Sequence, residues 1–188
     1  MFCLLTSTEV YEVAVKIPEG VTVSIEGDSL KGYCVKASGP VGQNEKLLKF
    51  KGVFIEKLDD KIRVYANSRK KTYKAMVGTF AGHIENLLKG VKEGFEYRLK
   101  VFYAHFPIKV RVEGKEIVIE NFLGEKSPRR AKIVGRAKVE IKGQEIIVKG
   151  VDIDECGLTA ANIERATRIR DKDPRVFQDG IYIVKKPW

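Results

Sequence analysis

A chain of 188 residues with 44% hydrophobic content can bury the core of one ordinary domain or two small ones, which excludes a disordered or fibrous protein. Its net charge of +10 and pI near 9.4 favour attraction to a polyanion, with nucleic acid the first candidate partner and an anionic membrane surface the second. No apolar run approaches the roughly 20 residues needed to span a bilayer.

The start, MFCLLTSTEVYEV, has no basic region or long apolar core and carries Glu9 and Glu12, so it does not read as a signal peptide. Cys3, Cys34 and Cys156 are odd in number, far apart and without metal-ligand spacing, and read as reduced packing residues of a cytosolic protein.

Val10 to Ile17 reads as a strand, ended by Pro18 and Gly20. VTVSIEG (21–27) alternates cleanly, with Val21, Val23 and Ile25 on one face. LKGYCVKASGPVGQNEKLLKF predicts two strands joined across Gly39, Pro40 and Gly42, and VFIEKLDDKIRVYAN a hairpin turning at Asp59 and Asp60. In the next stretch Tyr73, Met76, Val77, Phe80, Ile84, Leu87, Leu88 and Val91 fall at helical spacing, which predicts a helix of about five turns with Gly90 and Gly94 as stop signals.

The same order then recurs. VFYAHFPI gives an extended run, and IKVRVEG (108–114) matches VTVSIEG in apolar pattern. KEIVIENFLGEKSPRRAKI corresponds to the segment around Gly39, AKVEIKGQEIIVKG to the hairpin, and DIDECGLTAANIERATRIRDKD to the helix. The fold class expected is therefore α+β, a tandem duplication of a two-layer unit in which a small antiparallel sheet is packed by one helix. Residues 1–94 form the first copy with its tail and 95–188 the second. The join near Lys92 to Phe95 has no long linker, which predicts a rigid arrangement.

In the second helix Ala160, Ile163, Ala166 and Ile169 can face the sheet, with Arg165, Arg168 and Lys172 on another face. Asp152 and Glu155 stand in capping-box relation at its start.

Catalytic chemistry finds no foothold. His83 and His105 fall in different repeats, the acids are scattered singly among lysines, Asp59-Asp60 reads as a turn, and no glycine pattern cradles a phosphate. The reading is a non-enzyme without a catalytic residue, metal site or cofactor.

What remains is basic and aromatic. From Lys126 to Lys142 seven cations (Lys126, Arg129, Arg130, Lys132, Arg136, Lys138, Lys142) face one acid, Glu140. Residues 95–188 hold 20 Lys or Arg and 14 Asp or Glu, and this segment supplies that surplus. Arg69, Lys70, Lys71 and Lys74 open the first helix, opposed to its dipole. Near the C-terminus, RDKDPRVFQDGIYIVKKPW turns at Pro174 and Gly180 and ends in a strand-like IYIV and a tail with Lys185, Lys186 and Trp188. Tyr182 and Trp188 can stack on bases, and Tyr182 can equally pack on the sheet.

The duplicated plan together with YAHFPI (103–108), NFLGEKSPRRAKI (121–133), LTAANIERATRI (158–169) and KDPRVFQDGIYI (172–183) resembles the family of the sixth large-subunit ribosomal protein, in its archaeal and eukaryotic branch. The resemblance covers nearly the whole chain after the first ten residues. It implies a structural constituent of the large subunit, located in the cytoplasm on the ribosome. Its two similar domains would bind large-subunit ribosomal RNA beside the sarcin–ricin loop, near where translational GTPases dock and among neighbouring ribosomal proteins, away from any membrane.

In that family the C-terminal domain makes most of the RNA contacts. Carried onto this sequence, the contacts implied are Lys126, Ser127, Pro128, Arg129 and Arg130, and Arg168, Arg170, Lys172, Arg175, Gln178 and Asp179. The basic segments add Lys132, Lys185 and Lys186. Arg129 and Arg130 are expected to take phosphates with their planar forks, so that their joint replacement by alanine weakens RNA binding and leaves the fold intact. A generic basic module for nucleic acid or an acidic partner is the alternative.

Overall fold

The computed structural model describes residues 11–170, 172–173 and 175–187. The expectations for the N-terminal start and for Val10, Pro174 and Trp188 lie outside the described residues.

The chain divides into two compact units between Glu93 and Gly94. In the first, strands β1 (Tyr11–Lys16), β2 (Thr22–Asp28), β3 (Gly32–Ser38), β4 (Gln43–Leu48), β5 (Phe54–Leu58) and β6 (Lys61–Ala66) precede helix α1 (Lys71–Lys92). They form two antiparallel sheets, β1-β6-β5 and β2-β3-β4. The chain corners at Pro18 to Val21, where Gly20 takes φ +80° and the Val21 amide closes on the Pro18 carbonyl, so β2 starts a new sheet. Helix α1 has the predicted apolar face, burying Val77, Phe80, Ile84, Leu87, Leu88 and Val91 against Val35, Ile62 and Val64 of the sheets. Gly94, at φ +76°, ends it as the sequence suggests, whereas Gly90 is buried inside the helix.

The second unit repeats this order. Strands β7 (Phe95–Phe102), β8 (Lys109–Glu113), β9 (Glu116–Glu120), β10 (Arg129–Lys132), β11 (Lys138–Lys142) and β12 (Glu145–Gly150) lead to α2 (Ile153–Ala166), and one additional strand, β13 (Gly180–Lys185), follows. The sheets are β10-β9-β8 and β11-β12-β7-β13. Position by position, β7, β12 and β11 stand where β1, β6 and β5 stand in the first copy, with β13 added beside β7. The α+β duplication is as expected. Within each unit, however, the antiparallel layer is split into two sheets.

Two local expectations are corrected. The extended run VFYAHFPI stops at Phe102, because Asp179 takes the amides of Ala104 (3.0 Å) and His105 (3.1 Å) that a neighbouring strand would otherwise accept, and Pro107 has no amide to offer. The capping box of α2 is one-sided: Asp152 accepts from the Asp154 amide at 2.8 Å, but the Glu155 carboxylate turns away to the Arg136 amide at 2.8 Å.

The core of this unit gathers Leu99, Val101, Ile117, Ile119, Phe122, Ile146, Val148, Ile163 and Ile181 between α2 and the two sheets. Cys156 lies among them, free and fully buried. That burial, with Asp152 and Glu155 nearby, pushes its thiol up to about 12, in keeping with an inert packing cysteine.

Candidate nucleic-acid interface

The expected contact segment Lys126 to Arg130 follows a turn built on a buried aromatic. Asn121 and Leu123 adopt left-handed backbone (φ 58° and 51°), which turns the chain and drives Phe122 into the core, 1% exposed. Glu125, Lys126, Ser127 and Pro128 are then left in solvent before β10 begins at Arg129.

Arg129 and Arg130 alternate across β10 and differ in environment. The guanidinium of Arg129 lies 4.3 Å over the Phe122 ring and spends its donors within the protein. Nε and Nη2 take both oxygens of Glu125, at 2.8 and 2.5 Å, and Nη1 donates to the carbonyls of Ala166 (2.9 Å) and Arg168 (3.1 Å). Hydrogen bonding from Arg129 outweighs burial and holds the Glu125 carboxyl below the usual carboxylate range. Arg130 is the more exposed of the pair and meets Glu116 at 3.2 Å. The expectation that both can be removed without touching the fold therefore fails for Arg129, which joins a strand, a loop and a helix end.

Helix α2 stops earlier than its apolar spacing predicts, and Arg168 and Lys172 are not on it. At Thr167, 4% exposed, the hydroxyl donates to the Glu164 carbonyl (3.2 Å) and accepts the Ile181 amide of β13 (3.0 Å). The Glu164 carboxylate takes the amide of Ile183 at 3.2 Å. The described part of segment 168–179 is anchored at its far end by Asp179, which is 1% exposed. Burial raises the Asp179 pKa, but the Ala104 amide and the side chain and amide of His105 outweigh this and hold it below the ordinary value. The His105 ring rests on Phe177 at 4.9 Å, and Lys172 Nζ lies 4.5 Å over the same Phe177 ring. Arg175 donates its amide to Asp173 at 2.9 Å.

These anchors bring two distant parts of the sequence together. Arg129 and Arg130 of β10, Arg165 and Ala166 of α2, and Arg168 and Arg170 beyond it line one cleft of about 400 Å³. Among the described residues, the side chains of Arg165, Arg168 and Arg170 have no ion-pair or hydrogen-bond partner. Their cations stand in a concave surface, while the nearby carboxylates of Glu125 and Glu116 are engaged by Arg129 and Arg130. Such a cleft matches a chain of closely spaced phosphates better than a single small anion.

The remaining expected contacts surround it unevenly. Lys126, Ser127 and Pro128 form the exposed tip of the loop, and Lys132 is exposed at the end of β10. Gln178, exposed, lies beside Asp179 and reaches the Arg175 carbonyl at 3.5 Å. Lys185 and Lys186 are exposed at the far end of β13, past a register shift opposite Arg98, and do not line the cleft. Arg165 does line it, although it is not among the expected contacts. Its signal lies in the last helical turn, at three-residue spacing from Arg168. No group of His, Cys, Asp and Glu able to hold a metal occurs among the described residues, nor is any helix there long and apolar enough to cross a membrane.

Comparison with known proteins agrees with this duplicated plan. A family model described as ribosomal protein L6 matches residues 17–94 and 106–180. The chain is 71% identical over 188 residues to the large ribosomal subunit protein uL6 of Archaeoglobus fulgidus, covering 100% of this chain and 96% of that one. It is 52% identical over 172 residues to uL6 of Methanosarcina mazei (92% and 95% covered) and 49% identical over 173 residues to uL6 of Aeropyrum pernix (92% of each). With both units matched and the relatives aligned along nearly their whole length, the chain belongs to the ribosomal protein L6 family, in its archaeal and eukaryotic branch, a structural and non-enzymatic constituent of the large ribosomal subunit.

Proposed function

We propose that the C-terminal unit is the main RNA-binding domain and that it binds large-subunit ribosomal RNA beside the sarcin–ricin loop, near the docking region of translational GTPases. Neighbouring large-subunit ribosomal proteins are its further partners, and its place is the cytoplasmic ribosome. The observation that carries this reading is the arginine cleft, where Arg165, Arg168 and Arg170 are held without acidic partners among the described residues. Arginine neutralises phosphates and releases counterions, while anchored elements fix the spacing of the cations to the shape of a folded RNA.

The contacts divide by role. Arg130, Arg165, Arg168 and Arg170 meet phosphate in the cleft, with Lys126, Ser127, Pro128, Lys132, Lys172, Arg175 and Gln178 around it and Lys185 and Lys186 reaching a more distant stretch. Arg129 and Asp179 are positioning residues, since their polar atoms are committed inside the protein.

The test is binding to a large-subunit RNA fragment carrying the sarcin–ricin region, against an unrelated folded RNA, across a salt series. A preference for the first RNA that survives rising salt is expected. Arg168→Ala with Arg170→Ala should weaken binding and reduce the salt slope by about two. Equal binding to both RNAs that vanishes with salt would leave only a generic basic module, and an unchanged slope in the double variant would remove the cleft from the interface.

A further inference from the structure

The outer face of the sheet β11-β12-β7-β13 carries a feature that the arginine cleft does not use. Alternation along β7 buries Phe95, Tyr97, Leu99 and Val101 and turns Lys100 and Phe102 outward. Strand β13 sets Tyr182 opposite Lys100 and Gly180 opposite Phe102. The Tyr182 ring lies back over Gly180, where a Cβ would stand 3.1 Å from its ring and hydroxyl atoms. Its hydroxyl donates to the Gln178 carbonyl at 3.2 Å, and the Phe102 ring stands 6.1 Å away, tilted by 52°. The phenolic end of the ring thus lies against a glycine and is fixed there by a hydrogen bond, yet the residue is 42% exposed. Phe102, Tyr103, Ala104, Gln178, Asp179 and Tyr182 together border a cavity of about 510 Å³.

A fixed, open aromatic face is suited to a flat π-faced ligand, and an unpaired nucleobase is such a ligand. The side-chain amide of Gln178 offers a donor and an acceptor at the edge of the cavity. Lys100 Nζ, 5.4 Å over the Phe102 ring, supplies a cation for the adjoining phosphate. The segment that borders the arginine cleft at Arg168 and Arg170 also supplies Gln178 and Asp179 to this cavity.

We propose that the cavity between Tyr182 and Phe102 holds one unpaired nucleobase of the RNA whose phosphates meet the arginine cleft, an inference that rests on the RNA-binding reading above. The base stacks on Tyr182, and Gln178 meets its edge.

The test uses the full chain and the same sarcin–ricin RNA fragment and salt series. Tyr182→Leu keeps apolar bulk but removes the aromatic face. It should weaken binding roughly tenfold at every salt concentration, with the wild-type slope, because stacking releases no counterions. Tyr182→Phe keeps the ring and should stay within about twofold of wild type. Thermal melting verifies that the leucine variant is folded, and Phe102→Leu, read in the same way, serves if it is not. Wild-type affinity in both leucine variants, beside a reduced slope in Arg168→Ala with Arg170→Ala, would overturn the base cavity alone and leave this face to a protein neighbour. A wild-type chain with no preference for the fragment would overturn both readings.

Discussion

Arg129 donates from Nη1 to the carbonyl of Ala166 at 2.9 Å, fastening strand β10 to the last turn of α2. A cation at a helix C-terminus is favourable in itself, and this one is also held by both oxygens of Glu125 and by the Phe122 ring below it. Arg129→Ala should therefore cost about 2 kcal/mol of stability, the scale of a charged hydrogen bond lost in a partly buried setting. Arg130→Ala, at an exposed ion pair, should stay within about 0.5 kcal/mol. Urea unfolding of the two single variants checks this, and equal losses would show that Arg129 is no tie.

The buried Asp179 carboxylate makes stability depend on pH. Its native pKa lies below the ordinary value, so between the two values the unfolded chain binds the extra proton. The stabilisation is fully present above the unfolded pKa of about 3.9 and is lost as pH falls through the lower native value. Asp179→Asn should be less stable than wild type at pH 7, and the gap should narrow on acidification below about pH 4. Unfolding curves of both chains at matched pH test this. A gap that stays constant would mean that the carboxylate contributes by shape and not by charge.

Glycines in the first unit should respond in opposite directions. A Cβ at Gly39 would stand 2.6 Å from the Val91 carbonyl oxygen, where the β3–β4 turn meets the end of α1, so Gly39→Ala should destabilise by about 1–3 kcal/mol. At Gly78 and Gly82, within α1, a Cβ would meet nothing within 4 Å. Gly78→Ala and Gly82→Ala should each stabilise by about 0.5–1 kcal/mol through helix propensity. Melting temperatures of the three variants give the signs directly.

Much of this architecture can be read from the amino acids. Val23 and Ile25 alternate with polar residues because one face of β2 is half-buried, and the spacing from Val77 to Val91 continues without interruption because α1 has a single apolar face. The repeat is legible because both copies keep the same order of strands, turns and helix. What escapes the sequence depends on contacts between distant residues. Ile163, Ala166 and Ile169 keep helical spacing, yet the helix ends at Ala166, since Ile169 reaches the core from outside it and the stop is made by Thr167 with Ile181 and by Arg129. No glycine or proline marks that stop.

The candidate site divides in the same way. Charge density locates the basic stretch from Lys126, the family resemblance points to the segment beyond α2, and the structure brings Arg129, Arg130, Arg168 and Arg170 from them into one cleft. Charge alone cannot tell an arginine that faces solvent from one already paired, so Arg129 and Arg130 look alike in sequence and differ in the fold. Asp179, an RNA contact by the resemblance, is buried instead as an anchor, which the sequence does not show because the groups it binds, in Ala104 and His105, lie some 75 positions away.

Strand β13 pairs with β7 across most of the second unit, Ile181 standing opposite Val101 and Tyr182 opposite Lys100. During synthesis the first unit can fold while the rest of the chain is still being made. In the second, β7 emerges early and must wait for β13, and with it wait the Thr167 tie, the Asp179 anchor and the Tyr182 platform. A nascent chain therefore carries positive charge in β10 and α2 before it carries the shape that organises it, which is complete only when β13 has docked.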